Sequence, residues 1–253
     1  MSIKRISTGC AVAGTLVLLT GCAGSSGTAG STKTGPSGTT TTGSSRTPAA
    51  SPSPTVSPAT LAQLRKIVLQ PTDLPGWKAS PAEPDSSSSS DQAQLMACVG
   101  AKNTDADQVA TTDSADYSLG DATISSSGSS YKSQSDLDSD IAMLKSPKLL
   151  PCFTQQFKRD MVTSMPKGAS VGAVSVKFTQ GPGDGPANVA GSGSVTVPVT
   201  VSGQQAMVYI DFVYLTGPLI EAEVDAENIG APVPAAAVQS AVKAVATRAA
   251  SGG

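Results

Sequence analysis

Histidine is absent from all 253 residues of the chain. This absence removes the side chain that most often acts as a general base near neutral pH, and with it the usual partner of serine and cysteine nucleophiles. It also removes the commonest protein ligand of transition metals. Most familiar hydrolase mechanisms are therefore excluded, and the sequence predicts neither a catalytic residue nor a metal or cofactor site of the usual kinds.

Charge is also scarce, since only 14% of the residues are Asp, Glu, Lys or Arg and the formal net charge is -2. The 17 Lys and Arg residues are dispersed along the chain. Proteins that bind nucleic acid usually present a clustered basic face to the phosphate backbone. The sequence therefore predicts no nucleic-acid partner.

The N-terminal segment has the three parts of an export signal. Lys4 and Arg5 are followed by an apolar stretch over 10–19 that is too short to span a bilayer well, and then by small residues. The motif Leu19-Thr20-Gly21-Cys22 resembles the bacterial lipobox, which implies cleavage after residue 21 and attachment of acyl chains such as palmitate to Cys22. The alternative is an ordinary secretory signal with a chance cysteine. We expect a signal peptide at 1–21 and a protein held by lipid on the extracytoplasmic face of the cell membrane.

A tether is predicted to follow the anchor. Residues 22–58 consist almost wholly of Ala, Gly, Ser, Thr and Pro, which bury too little apolar area to offset the entropy lost on ordering. The sequence does not show whether its many hydroxyl groups carry sugars. We expect a flexible segment that displays one domain, residues 59–250, away from the membrane.

The first half of this domain reads mainly as helices. An apolar stripe at Leu61, Leu64 and Val68 predicts a helix that begins near Thr60, and the turn sequence Asp73-Leu74-Pro75-Gly76-Trp77 follows it, with the tryptophan packed against the domain. Further helices are predicted over 92–99, 133–145 with Ser135 as the N-cap, and 149–165; weak strand character lies at 117–119 and 122–131.

The second half alternates with a period of two. Four successive strands are predicted, and the short turns at Ser202-Gly203 and Thr216-Gly217-Pro218 make them antiparallel. Pro198 indicates an edge strand or a bulge. A small-residue helix opens at Pro234 and presents Val238, Val242 and Val245 to the sheet. The fold class predicted is α+β, an antiparallel sheet flanked by helices.

Two of the four cysteines remain in the mature domain, because Cys10 leaves with the signal and Cys22 takes the lipid. Cys98 and Cys152 would meet in an oxidising compartment, which favours a disulfide. The alternative is a redox pair, which lacks both Cys-x-x-Cys spacing and a flanking charge that would lower the thiol pKa.

Acidic residues supply the remaining candidates for chemistry. Glu221, Glu223 and Asp225 alternate along the last strand, on what we expect to be its solvent face, and a hydrolase could use two such carboxyls. Asp136, Asp138 and Asp140 imitate the opening of a calcium loop, but Ile141 and Pro147 stand where that loop needs glycine and glutamate. No metal site is predicted from them.

The combination of lipobox, tether, the Asp73-Leu74-Pro75-Gly76-Trp77 turn, a spaced cysteine pair and a strand-rich second half resembles a family of actinobacterial cell-envelope lipoproteins. These are the lipoproteins related to the extracellular sensor domain of the kinase PknH and to LpqN. The resemblance implies a PsbP-like α/β sandwich and a non-enzymatic role in binding or sensing. The chain has one cysteine pair in its domain where the PknH sensor is expected to have two, so no ligand site is carried over.

Three hypotheses for the function follow. The leading one is a non-catalytic ligand-binding or sensor-like accessory module of the cell envelope, with an unidentified envelope ligand or protein as its partner. The first alternative is a carboxylate-based envelope hydrolase that uses residues such as Glu221, Glu223 or Asp225. The second is a structural protein-interaction module, which would need a large exposed apolar patch.

Overall fold

The computed structural model describes residues 57–82, 89–183 and 185–253. The predicted signal peptide, the lipid attachment residue Cys22 and nearly all of the tether lie outside the described residues. They remain predictions from the sequence.

Five α-helices and nine β-strands occur in the described part of the chain. The helices are α1 Leu61–Ile67, α2 Ser89–Val99, α3 Gln134–Met143, α4 Leu149–Ser164 and α5 Ala235–Ser251. The strands are β1 Lys78–Ser80, β2 Gln108–Asp113, β3 Asp116–Leu119, β4 Ala122–Tyr131, β5 Ser170–Val171, β6 Ser175–Gln180, β7 Val189–Val201, β8 Gln204–Gly217 and β9 Ile220–Ile229.

All nine strands belong to one sheet in which every pair is antiparallel. The main order is β1-β3-β4-β9-β8-β7-β5, with β2 beside β4 and β6 beside β7. The long strands β7, β8 and β9 form a meander, because short turns join them. In the first turn both Ser202 and Gly203 have positive φ, as a two-residue hairpin requires. The predicted α+β class with an antiparallel sheet and flanking helices is confirmed.

Helices cover both faces of the sheet. On the face that we call the α5 face, α1 and α5 pack on β4, β8 and β9 around Leu64, Ile124, Leu215, Ile220 and Val245. On the opposite face, the α4 face, α2 and α4 cover the β5 to β8 side, with a core that contains Phe153, Phe157, Val195, Val208 and Phe212. Apolar burial on both faces supplies the main driving force for folding.

Most predicted elements are present, with corrections at particular residues. Thr60 caps α1 in a capping box with Gln63, as expected for that start. Leu61 was expected in the apolar stripe but is 41% exposed, while Leu64 and Ile67 face the core. The N-cap of α3 is Ser133, whose hydroxyl accepts from the Asp136 N–H; the prediction of Ser135 was wrong.

Pro198 lies neither on an edge strand nor at the bulge of its strand. The bulge of β7 falls between Val189 and Gly191, and Pro198 occupies the gap on the outer side of β7 between its two short neighbours, β6 and β5. Pro198 has no N–H to donate, so a break in the pairing on that side suits it. The strands β1, β2 and β5 were not predicted, because they are short or polar and lack a clear apolar alternation.

The predicted disulfide between Cys98 and Cys152 is present and joins α2 to α4, with the two Cα atoms 5.9 Å apart. It ties together two helices of the α4 face.

Arg248 of α5 holds the start of the domain to its end. Its guanidinium forms a two-pronged ion pair with Asp73, at 2.7 and 3.1 Å, and also donates to the carbonyls of Ile67 and Val68 at the end of α1. Although burial alone would raise the pKa of Asp73, Arg248 and the Gln70 N–H hold it below its usual range. The predicted turn at 73–77 is therefore a structural staple, and Trp77 packs against the core as expected.

We expect the double variant Cys98→Ser/Cys152→Ser to lose roughly 4 kcal/mol of unfolding free energy at most, because its unfolded chain is no longer closed by a bond between residues 54 positions apart. Urea unfolding with and without a thiol reductant checks this. Reductant should lower the midpoint of the wild type and leave the double variant unchanged, and an equal response of the two would contradict the assignment.

Arg248→Ala should lower the unfolding free energy by about 3 kcal/mol, since it leaves a partly buried carboxylate and two helix-end carbonyls without their donor. Arg248→Lys should recover less than half, because an ammonium cannot form the fork that reaches all three groups. The matched control is Arg65→Ala, at an exposed position on α1, with a change of a few tenths of a kcal/mol. Equal losses of unfolding free energy in Arg248→Ala and Arg65→Ala would contradict the structural role of the Arg248 contacts.

Candidate functional site

A polar cluster lies on the α4 face where α3 crosses the sheet. The Tyr131 phenol is 2.7 Å from Oδ2 of Asp140 and 2.9 Å from Oε2 of Glu221. The hydroxyl of Thr104 donates to the other oxygen of Asp140 at 2.6 Å. All four residues are buried, with Asp140 only 1% exposed and Glu221 only 5%. We call Thr104, Tyr131, Asp140 and Glu221 the polar cluster.

Strand and helix geometry bring these residues together. Glu221 of β9 lies opposite Ser129 of β4, and Tyr131 is two residues further along on the same face of β4. Asp140 lies one helical turn after Leu137 on the inward side of α3, where both are buried. One carboxyl therefore comes from the sheet and the other from the helix above it.

Asp140 and Glu221 differ in their protonation state. The Tyr131 phenol has one proton to donate, so it cannot fully satisfy two ionised carboxylates. Burial, together with the charge of Asp140, raises the pKa of Glu221 to about 8. Burial alone would raise the pKa of Asp140 too, but the hydrogen bonds it receives from Glu221 and Thr104 hold it below its ordinary value. Burial and both carboxyls raise the pKa of Tyr131. Near neutral pH the cluster thus holds a protonated Glu221, an ionised Asp140 and a neutral phenol.

The row of acidic residues on β9 is not on a solvent face, and that prediction was wrong. Glu221 and Glu223 are each 5% exposed, and Asp225 is only partly exposed. Alternation showed that they share one face, but this face is the inner, α4 side of the sheet. Burial and the neighbouring charges of Asp225 and Glu221 raise the pKa of Glu223 well above its usual range, and the Tyr214 phenol hydrogen-bonds to it. Burial and Asp225 likewise raise the pKa of Glu227 to about 8.

The polar cluster does not have the spacing of a glycosidase pair. Asp140 and Glu221 hydrogen-bond to each other and to one phenol oxygen. Glycosidases keep their two carboxyls about 5–9.5 Å apart so that a sugar, or a sugar and a water, fits between them. The observed arrangement positions α3 on the sheet and leaves no room between the carboxyls for a substrate bond.

An open groove lies on the other side of α3, against the ends of β6, β7 and β8. We call it the α3 groove. Its volume is about 390 Å³, and it is lined by Gln134, Leu137, Asp138, Ile141, Lys145, Gln180, Gly181, Val189, Ala190, Thr216 and Gly217.

The α3 groove combines an apolar floor with a polar rim. Leu137 and Val189 are buried at its base, and Ile141 and Ala190 are partly exposed beside them. On the rim, the Gln134 amide donates to Asp138 at 2.8 Å and the Gln180 amide donates to the carbonyl of Leu144 at 3.3 Å.

The groove and the polar cluster are neighbours. Thr216, which lines the groove, is the direct cross-strand partner of Glu221. The helix α3 carries both the Asp140 anchor and the groove wall. A shift of α3 would therefore change the width of the groove and the contacts of the polar cluster together.

Sequence reasoning brought only some of these residues to attention. Cys98 and Cys152 meet as predicted, whereas of Glu221, Glu223 and Asp225 only Glu221 belongs to the polar cluster. Thr104, Tyr131 and the groove residues were missed. For Asp140 a signal existed, since it follows Leu137 at the three-residue spacing of the buried side of α3.

Stability should fall as the pH rises from about 4.5 to about 8, because the folded state keeps a proton on Glu221 that the unfolded chain has already released. Each such proton contributes a slope of about 1.4 kcal/mol per pH unit. Asp140 acts in the opposite sense and only at acid pH, below its ordinary value of 3.8. Glu221→Gln, which stays neutral, should remove one proton's share of this slope, measured by urea unfolding between about pH 5 and about pH 8. Glu223 and Glu227, whose pKa values are also raised, should keep the remainder.

The control for this measurement is Asp121→Asn, which neutralises an exposed carboxyl in the turn between β3 and β4 and should keep the wild-type slope. A Glu221→Gln protein whose slope equals that of the wild type would contradict the protonated state of Glu221.

The chain was also compared with known proteins. No protein-family model matches it, and no significant match was found among curated proteins or solved structures. Within the described residues no helix is long and apolar enough to cross a membrane. The same residues contain no group of three or more Cys, Asp or Glu side chains arranged to hold a metal ion.

Proposed function

We propose that the protein is a lipid-anchored module on the extracytoplasmic face of the cell membrane that binds a small envelope ligand without transforming it. The observation that carries this proposal is the α3 groove. Its volume of about 390 Å³ falls within the range of small-molecule sites, roughly 300–1,000 Å³. Its lining is more polar than that of most such sites, with four apolar side chains at the floor and five polar or charged ones around them, so a ligand would make both kinds of contact.

The anchor supports a role at the membrane surface. The motif Leu19-Thr20-Gly21-Cys22 would place acyl chains on Cys22, and several chains on one cysteine give durable attachment. The small-residue composition of 22–58 would let the domain reach ligands at some distance from the bilayer. The resemblance to sensor-type envelope lipoproteins favours the same role.

Binding without catalysis is favoured by the state of the ionisable groups. The chain has no histidine, and Asp140 and Glu221 are enclosed by each other and by Tyr131. In the groove itself, the one carboxylate is Asp138, which accepts a hydrogen bond from Gln134. A single exposed carboxylate lacks the second acid that glycoside hydrolysis requires.

One observation favours a hydrolase as the second candidate. The pKa of Glu221 is raised and that of Asp140 is lowered, and such a split is typical of an acid and a base that act together. If the pair were catalytic, Asp140→Asn and Glu221→Gln would each abolish hydrolysis of envelope glycans by folded protein. Wild-type protein that releases no product from such glycans would remove this candidate.

The binding function predicts a ligand that co-purifies with the intact lipoprotein from its own envelope. Native mass spectrometry should show an added mass that disappears on denaturation. Ala190→Trp should abolish that mass, because the indole fills the groove beside Val189. Val162→Trp, at a 57% exposed position of α4 away from the groove, is the matched control and should retain it.

A bare mass for the wild type, or an added mass that Ala190→Trp leaves intact, would contradict the proposed site. Far-ultraviolet circular dichroism of both tryptophan variants shows whether each has kept its fold.

A further inference from the structure

The α3 groove contains two charged side chains of opposite sign, both on its helical wall. Asp138 lies in the first half of α3, and Lys145 follows the end of the helix, where its N–H still donates to the carbonyl of Ala142 in a helical turn. Seven positions separate the two residues, which places them on the same side of the helix and about 10 Å apart along its axis.

Neither charge is neutralised by another described residue. An ion pair requires charged atoms within about 4 Å of each other, and none is formed by Asp138 or Lys145 within the described chain. The neighbouring acids of α3 are engaged elsewhere, because Asp136 lies 3.7 Å from the Lys102 ammonium and Asp140 belongs to the polar cluster. The two charges of the groove sum to zero, which disfavours a ligand that is only an anion or only a cation.

A glutamine side chain accompanies each charge. The Gln134 amide donates to Oδ1 of Asp138 at 2.8 Å, and a carboxylate with two oxygens can accept further hydrogen bonds from an ammonium group. Beside Lys145, the Gln180 amide donates to the carbonyl of Leu144 at 3.3 Å and has a second N–H for another acceptor. One end of the groove therefore suits an ammonium group and the other end suits a carboxylate.

The floor between the two charges is apolar. Ile141 lies between Asp138 and Lys145 on the helix, and Val189 and Ala190 lie on the sheet side. Val189 is buried, whereas Ile141 and Ala190 are partly exposed. Small apolar groups of a ligand would be removed from water by contact with this floor.

A ligand that meets both charges must carry its ammonium and its carboxylate several ångströms apart. A free α-amino acid carries both on one carbon atom, which is too close to reach the two ends. Each residue of an extended peptide spans about 3.3–3.6 Å, so two or three residues span about 7–10 Å. The peptide groups between the ends also match the hydrogen-bonding capacity of the two glutamine amides.

We propose that the α3 groove binds short peptides of two or three residues with free termini, holding the ammonium at Asp138, the carboxylate at Lys145 and small side chains on the floor formed by Ile141 and Val189. This inference rests on the proposed binding function and specifies the ligand class of that site.

The charge separation is tested by isothermal titration of the intact lipoprotein in a mild detergent with alanine, dialanine and trialanine. One of the two peptides should bind tightest, and alanine should bind about tenfold more weakly because it can meet only one of the two charges. Alanine that binds as tightly as the peptides would overturn the proposal. The compound ε-aminocaproate has separated end charges without peptide groups, and an affinity equal to that of trialanine would overturn the peptide class.

Each end of the groove is tested by pairing a variant with a blocked peptide. Lys145→Gln should weaken trialanine binding by about fivefold and leave trialanine amide unchanged, because that ligand has no carboxylate. Asp138→Asn should weaken trialanine binding by a similar factor and leave N-acetyl-trialanine unchanged. The matched control is Lys243→Gln, at an exposed position of α5 on the other face of the sheet, which should keep all three affinities. Equal losses for free and blocked peptides would refute the assignment of the ends.

The failure of this inference differs from failure of the binding function. Ala190→Trp should abolish trialanine binding, and Val162→Trp should retain it. A co-purified mass that Ala190→Trp removes, in a protein that binds none of these peptides, would refute the peptide ligand and retain the binding module. A wild-type protein with neither a co-purified mass nor peptide binding would refute both.

Discussion

The rest of the structure depends on one constraint, which is that helices cover the central strands of the sheet on both faces. In β9 the residues from Ile220 to Val224 are all buried, although every second one is a glutamate. A carboxyl on such a strand must be protonated or must find hydrogen-bond partners, because burial of an unpartnered charge is costly. For Glu221 both solutions apply, since it is protonated near neutral pH and lies against Tyr131 and Asp140. The polar cluster thus follows from the way the sheet is covered.

The same constraint explains how the layers are joined. On the α5 face, Arg248 fastens the last helix to the end of the first through Asp73 and two helix-end carbonyls. On the α4 face, the disulfide fastens α2 to α4, and Asp140 fastens α3 to β4 and β9. The ion pair and the disulfide join residues far apart in sequence, and together with the Asp140 contact they fix how the elements stack on one another. The α3 groove is a by-product of this stacking, because α3 is held at its cluster side and leaves its other side facing the strand ends.

The periodicity of the sequence predicts the helices and strands, but it does not predict the candidate site. The two-residue alternation of Val, Ile and Tyr residues located the long strands and their turns, and the spacing of Phe153, Phe157 and Met161 located α4. Alternation along a strand shows which residues share a face of the sheet. It does not show which face a helix covers, and this is why the prediction that Glu221 is exposed to solvent was wrong. The α3 groove could not be predicted from the sequence for a related reason. Its walls combine Leu137, Val189 and Thr216, and their proximity arises only from the order of strands in the sheet.

The ionisable groups of the α4 face fit the proposed binding function better than they fit the proposed hydrolase. A catalytic pair needs access to substrate and a gap between its two carboxyls, and Asp140 and Glu221 have neither. What the pair does supply is position, because Asp140 fixes one side of α3 while the hydrogen bond between Gln180 and the Leu144 carbonyl fixes its end. A wall held at two points keeps the width of the groove defined before a ligand arrives, and such preorganisation lowers the entropy lost on binding. The glycines of β7 act in the same direction, since they let the rings of Phe178 and Phe212 lie on the backbone and form an apolar floor next to that wall. Under the proposed binding function, the buried acids would therefore shape the α3 groove through the fold, without contacting a ligand.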